Sequence, residues 1–303
     1  MATLTGGGTI ATVGLTERDN TVVTNVLQST FTAVTNPTKI EVLPTTSETT
    51  TTSAPVLVGT FEASSVQNRS FSSTSDLSLV SIGTGNNANN KQITNLVVDD
   101  NTKGVILTDT GANTVVGFIG GTNTSLVVGD AGTQFVDLSR STQNATIVSG
   151  TGNDSVLGGS GNDQVRLGDF GVANGGTGAD TLIGGTGTAT LGGGGGADSI
   201  VAAAGGGALI GELGNDTMVG GAGKDVFIYT SGGGNDVING FDPASDTLGL
   251  ANFQDISAAG LSLIDIINRA TVSGGNTIIT MPDGSTITVA GATGINVNWF
   301  TIK

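Results

Sequence analysis

Three nonapeptides decide how this chain is read: GGSGNDQVR at 158–166, GGTGADTLI at 175–183 and GGGGADSIV at 193–201. Each has glycine at positions 1, 2 and 4, aspartate at 6 and an apolar residue at 8. A fixed short period of this kind describes a stack of repeated turns and short strands, the plan of a β-solenoid. Glycine lets a turn adopt positive φ and brings successive carbonyl oxygens close together. Aspartate adds the hard, charged oxygen that calcium prefers. The candidate metal-binding glycines are Gly159, Gly161, Gly176, Gly178, Gly194, Gly196 and Gly214.

Followed at twice the nine-residue period, the aspartates form two rows. One row is Asp163, Asp180, Asp198 and Asp216, with steps of 17, 18 and 18 residues. Asp236 extends it after a longer step. The other row begins at Asp154 and reaches Asp225, with Ala189 and Gly207 in the positions between. One edge is therefore expected to be lined with cation sites and the other largely stripped. The stripped edge reads either as drift or as a surface packed against a neighbour. Coils stack about 4.8 Å apart. Two carboxylates at that distance repel by roughly 1 kcal/mol in water and about 3 kcal/mol at an effective dielectric near 20. An intact row therefore needs a cation. A site with a dissociation constant of about 0.1 mM contributes about 2.7 kcal/mol when calcium is a hundredfold higher, and almost nothing where calcium is scarce.

The pattern resembles the RTX (repeats-in-toxin, hemolysin-type calcium-binding) family. The resemblance implies a parallel β-roll with several Ca2+ ions between successive coils. It also implies export from a Gram-negative cell by type I secretion, with an uncleaved C-terminal signal. The closing segment GGAGKDVFIYTSGGGNDVINGFDPASDTLGL at 220–250 is similar to the family's final coil, and Asp242 and Asp246 are candidates for a further calcium. The candidate metal ligands are thus Asp154, Asp163, Asp180, Asp198, Asp216, Asp225 and Asp236 with the glycines above.

Composition excludes much else. The chain has no cysteine and no histidine. Disulfide frameworks, ordinary zinc sites and Ser-His or Cys-His nucleophile pairs are ruled out. The net charge is −15, with 10 basic residues, which argues against nucleic-acid binding. Residues 149–303 hold 14 acids and 4 bases, so the acidity concentrates where the repeats are. One Trp and one Tyr leave no aromatic platform for sugars, and Lys91, Lys103 and Arg140 are too scattered for a lyase site on a β-helix. The expectation is a protein that is not an enzyme. No stretch approaches the 18 apolar residues of a membrane span. The N-terminus MATLTGGGTIATVGLTERDN lacks the charged and apolar regions of a signal peptide.

The expected fold class is all-β: a parallel β-roll with a Thr-rich extended N-terminal segment and a small helix–hairpin C-terminal cap. Residues 1–75 form a Thr/Ser-rich strand or assembly region, with strands in TVVTNVL from Thr21 and KIEVLP from Lys39 and low complexity from Thr45 to Pro55. The segment either packs along its own solenoid or adds a strand to a neighbouring subunit. Residues 76–148 read as calcium-poor coils, with Phe118, Val127 and Val136 inward and Val116, Ser125 and Gln134 near the position that aspartate holds elsewhere; Asn86, Asn87, Asn89 and Asn90 make a turn or an Asn ladder. Residues 149–240 form the calcium-binding β-roll. Residues 241–303 form the cap and secretion signal: a helix in 254–270 with Leu263, Ile264 and Ile267 on one face, a hairpin around Pro282-Asp283-Gly284, and Trp299 and Phe300 as core plugs.

The functional expectation is a calcium-dependent, self-assembling extracellular structural protein: a filament, surface-layer or biofilm-matrix subunit whose partners are calcium and itself. Some Gram-negative surface-layer proteins resemble this plan. The alternative is a monomeric secreted calcium-binding adhesin or matrix module that binds cell-surface polysaccharide.

Overall fold

Strands of three to eight residues follow one another along the chain, and up to the C-terminal cap each pairs in parallel with the strand two places away rather than with its neighbour in sequence. That is the signature of a solenoid: the chain winds, and two parallel sheets grow side by side. The computed structural model describes the strands between residues 40 and 119 together with Asp100, and then residues 120–129, 131–251 and 262–302. These divide into two compact units, 1–169 and 170–303.

In the first unit the parallel pairing already begins at Ile40–Val42, which pairs with Val56–Phe61, so the Thr-rich segment contributes rungs from residue 40 onward. Thr49–Thr52, inside the low-complexity stretch, pairs with Gln67–Ser73 in the other sheet. The strand expected at Thr21 and the turn expected at Asn86–Asn90 lie outside the described residues. Further along, Val115–Ile119, Thr133–Asp137 and Asn153–Ser160 stack in one sheet; Leu126–Val128, Thr146–Val148 and Gln164–Arg166 stack in the other. Phe118, Val127 and Val136 point inward as the nine-residue step requires, joined by Ile147, Val156 and Val165.

The second unit repeats the plan in its most regular form. Thr181–Ile183, Ser199–Val201 and Thr217–Val219 are in register, and Leu182, Ile200 and Met218 fill the core at position 8 of each nonapeptide. The opposite sheet runs through Ala189–Gly195, Gly206–Leu213, Lys224–Tyr229 and Thr247–Leu250, with Leu191, Leu209, Phe227 and Leu248 buried. β-strand residues alternate between faces, so a single inward residue per three-residue strand suffices.

The cap closes this stack. Asn276–Thr280 and Thr286–Val289 form the expected antiparallel hairpin, and Thr286–Val289 adds in parallel to Asn235–Asn239. The Tyr229 hydroxyl donates to Asp283 in the hairpin turn at 2.8 Å, which ties the turn to the last coils. Phe300–Ile302 pairs with Thr247–Leu250. Trp299 is buried against Phe241, with ring centroids 4.9 Å apart, while Phe300 is half-buried in its strand. Of the helix expected in 254–270, residues 254–261 lie outside the described residues; α1 covers Leu263–Asn268, opened by a Ser262–Asp265 capping box. Its phase differs from expectation: Ile266 is its buried residue, and Ile264 is 61% exposed. A six-residue helix has too few turns for a periodicity argument to fix its inner face.

Two neighbouring glycines show how tightly the turns stack. Gly196 has φ +142°, and a Cβ there would sit 1.9 Å from the Gly178 carbonyl oxygen of the previous coil; a Cβ on Gly195 would meet nothing within 4 Å. Gly196→Ala is therefore expected to lose about 3 kcal/mol of stability, and Gly195→Ala less than about 1 kcal/mol. Urea unfolding of both variants in saturating calcium checks this; equal losses would refute the stacking argument.

Candidate metal centre

The first row of aspartates forms a continuous ladder within the second unit. The backbone N–H of Asp180 donates to Oδ1 of Asp198 at 2.7 Å, that of Asp198 to Asp216 at 2.9 Å and that of Asp216 to Asp236 at 3.0 Å. The residues are 18, 18 and 20 apart. In the first unit, Asp163 accepts from the N–H of Ala145 at 2.7 Å in the same manner. One carboxylate oxygen thus replaces a missing rung of the sheet. The other faces the opposite problem. Oδ2 of Asp198 and of Asp216 is buried and has no hydrogen-bond partner. An acceptor in that state costs about 1–3 kcal/mol, and more when charged.

The position-1 glycines make room for these oxygens. A Cβ on Gly193 would lie 2.2 Å from Asp198 Oδ2, and one on Gly211 or Gly175 the same distance from Asp216 or Asp180 Oδ2. The position-2 and position-4 glycines, Gly159, Gly161, Gly176, Gly178, Gly194, Gly196 and Gly214, supply the turn conformation, all with φ between +107° and +142°. Glu212 stands where Gly176 and Gly194 stand in the coils before it, and it is the only described non-glycine residue with positive φ, at +71°. Its carboxylate accepts from Asn174 Nδ2 at 3.3 Å, and its charge bears on both Asp198 and Asp216. Composition counting passes over this residue; the broken G-G in GELGND was the signal.

The second edge carries carboxylates only in places. Asp154 Oδ1 accepts from the N–H of Gln134 at 3.0 Å. Asp225 lies opposite Gly207, and its own N–H donates to Asp246 at 2.9 Å across 21 residues. Asp246 is 3% exposed and belongs to this row; its Oδ2 accepts from the N–H of Asp242, so Asp242 shapes the turn around it. Between these carboxylates, the turns holding Ala189 and Gly207 close directly on each other. Ala204 N–H donates to the Gly185 carbonyl at 2.9 Å and Gly205 N–H to Gly187 at 2.8 Å, with Ala203 buried against Gly184. The stripped edge is closed by the chain's own backbone.

Burial sets the electrostatics. Loss of water pushes Asp154 up to about 7, Asp198 to about 6 and Asp236 to about 7, from an ordinary 3.8. It also raises Asp216 and Asp225. Neighbouring carboxylates add to the rise at Asp198, where the main-chain hydrogen bond opposes it. Among the described residues, no three Asp, Glu, His or Cys side chains gather into a cage. An ion here would draw on carboxylates of successive coils, on turn carbonyls and on water, a mixed oxygen set that suits Ca2+. Asp198 and Asp216 with their glycine cradles fit that ion, as do Asp225 and Asp246.

Comparison with known families gives four copies of the RTX calcium-binding nonapeptide repeat, matching residues 141–170, 174–209, 192–227 and 204–238. All seven candidate aspartates lie within these ranges; Gln134 and Asp246 lie outside them. No curated protein matches the chain.

These carboxylates hold their protons more tightly in the folded chain than in the unfolded one. Without metal, that stabilisation is complete below about pH 4 and is lost as pH rises through 6 to 7. Calcium binds the deprotonated form and gains with pH. The melting temperature in chelator should therefore fall between pH 4 and pH 7 and, in millimolar calcium, rise over the same window. Asp198→Asn should flatten the metal-free slope and reduce the calcium-induced gain. A metal-free melting temperature that climbs from pH 4 to pH 7 would overturn the assignment.

Proposed function

The chain belongs to the RTX calcium-binding repeat family, and on that premise we propose that it is a calcium-dependent, self-assembling extracellular structural protein: a filament, surface-layer or biofilm-matrix subunit. Calcium binding and an extracellular setting come with the repeats. No described helix is long and apolar enough to cross a membrane. The structural role is our reading, as is the absence of an enzymatic one.

One observation carries the assembly step. In the first unit, Ile119, Phe135 and Leu157 stand on three adjacent strands and are 41%, 51% and 37% exposed. Asp137 lies in register between Ile119 and Leu157. Large apolar side chains side by side on the outer face of a flat sheet favour burial against another surface. Burying one such side chain contributes about 1.5–3 kcal/mol. A second copy of the same repetitive sheet face is the surface that matches best.

Calcium enters as the condition for assembly. The turns order when their carboxylates are neutralised, and the outer face is then held flat. Sedimentation velocity and electron microscopy at micromolar protein should show large, ordered assemblies in millimolar calcium that dissolve in chelator. The double variant Phe135→Ser/Leu157→Ser should bind calcium as the parent does and stay monomeric. A parent chain that is monomeric at high concentration in calcium would refute assembly and favour a monomeric adhesin or matrix module.

A further inference from the structure

Three buried oxygens without hydrogen-bond partners occur together in the first unit: Gln134 Oε1, Ser149 Oγ and Asp154 Oδ2. Their residues are 0%, 0% and 2% exposed. They come from two stacked turns, with Gly129, Ala131 and Gln134 in the first and Ser149, Thr151 and Asp154 in the second, held in register by the Ala131–Thr151 bridge and by Phe135 opposite Ser155. Both turns follow the spacing of the cation-binding repeats. The first has Gln where aspartate belongs, and the second has Ser where the leading glycine belongs.

The local hydrogen bonds orient these groups. Gln134 N–H takes up Asp154 Oδ1 and leaves Oδ2 over. Gln134 Nε2 donates to the Ala131 carbonyl at 3.3 Å, which makes Oε1 the unsatisfied end of the amide. A Cβ on Gly129 would lie 3.3 Å from that Oε1 and 2.1 Å from the Ser149 carbonyl oxygen, so the amide oxygen and the Ser149 turn share the space beside Gly129. In the second unit, the place of Ser149 is held by glycines whose missing Cβ would touch the carboxylate. Here a hydroxyl stands instead. It is close enough to Asp154 to ease its ionisation, while falling outside hydrogen-bond geometry. Asp169, the charge acting on Asp154, has the same sign.

We propose that Gln134, Ser149 and Asp154 form a calcium site with one carboxylate ligand, outside the two-carboxylate ladder. The proposal rests on the calcium-binding reading of the repeats. Amide, hydroxyl and carboxylate oxygens are all ligands of this ion, and fewer charges give weaker binding. The site therefore fills after the ladder as calcium rises. It extends cation-held stacking one turn beyond the repeats of family type, to the coil that carries exposed Phe135.

The test is calcium binding to the full chain, by isothermal titration and equilibrium dialysis with calcium alone. Gln134→Leu should lose one ion, from the weakest class, and leave the tighter classes unchanged. Gln134→Asp should keep the ion count and tighten that weakest class at least about tenfold. If Gln134→Leu misfolds by circular dichroism, the aspartate variant decides alone. An unchanged isotherm in Gln134→Asp, or an unchanged ion count in a folded Gln134→Leu, would mean that the three oxygens hold an internal water, and would overturn the proposal while leaving the ladder intact. A parent chain that binds no calcium would overturn the ladder reading itself.

Discussion

A main-chain N–H of one coil bonds to a carboxylate oxygen of the next, and the structure depends on that contact. The bond from Asp180 to Asp198 is a rung of backbone geometry made with a side chain. It fixes the carboxylate so firmly that the second oxygen has nowhere to turn. Burial then raises Asp198, Asp216 and Asp236 toward neutrality. The stack is satisfied by protons or by a cation, and at neutral pH the protons are largely gone from the lower members. The same contact that sets the register thus creates the demand for metal.

Glycine decides where that demand can arise. In the ladder of the second unit, the position-1 residue beside each carboxylate has no Cβ, as at Gly193 and Gly211. The other edge of the second unit shows the alternative. A Cβ at Gly207 would lie 1.8 Å from the Ala189 carbonyl oxygen, so a side chain is excluded there by the preceding coil. Removing the carboxylates lets the turns approach until Gly205 and Ala204 bond straight to Gly187 and Gly185. Close backbone approach joins coils on both edges, and a carboxylate is added to it in the ladder.

The period of nine made the ladder legible before any coordinates. Asp163 through Asp236, the inward Val165, Leu182 and Ile200, and the buried Trp299 all follow from spacing and apolar content. Three things did not follow. Asp246 joins Asp225 at 21 residues because the turn around Asp242 and Pro243 lengthens the coil, and a fixed step cannot see that. Glu212 takes a glycine's place and conformation, which no propensity would assign to it. Ile266 rather than Ile264 faces inward, because the helix starts at the Ser262 cap and ends within six residues. In each case local hydrogen bonding overrode the periodic pattern.

The two devices also sort the molecule by charge. Where glycine at position 1 is paired with aspartate at position 6, carboxylates of successive coils lie in one row. Where Ser149 and Gln134 stand in those positions, one buried carboxylate shares the turns with an amide and a hydroxyl. In the first unit, Ser125 holds a position-6 place, and its N–H donates to the Lys103 carbonyl at 2.8 Å, a main-chain bond made without a carboxylate. Within the first unit, coils joined by main-chain bonds alone thus occur together with turns whose Asp154 and Asp163 carboxylates accept from the backbone. Nucleation is the costly step of a solenoid whose units contact only their neighbours. A rung such as Ser125 to Lys103, which forms without a carboxylate, is where ordering of the first unit can start.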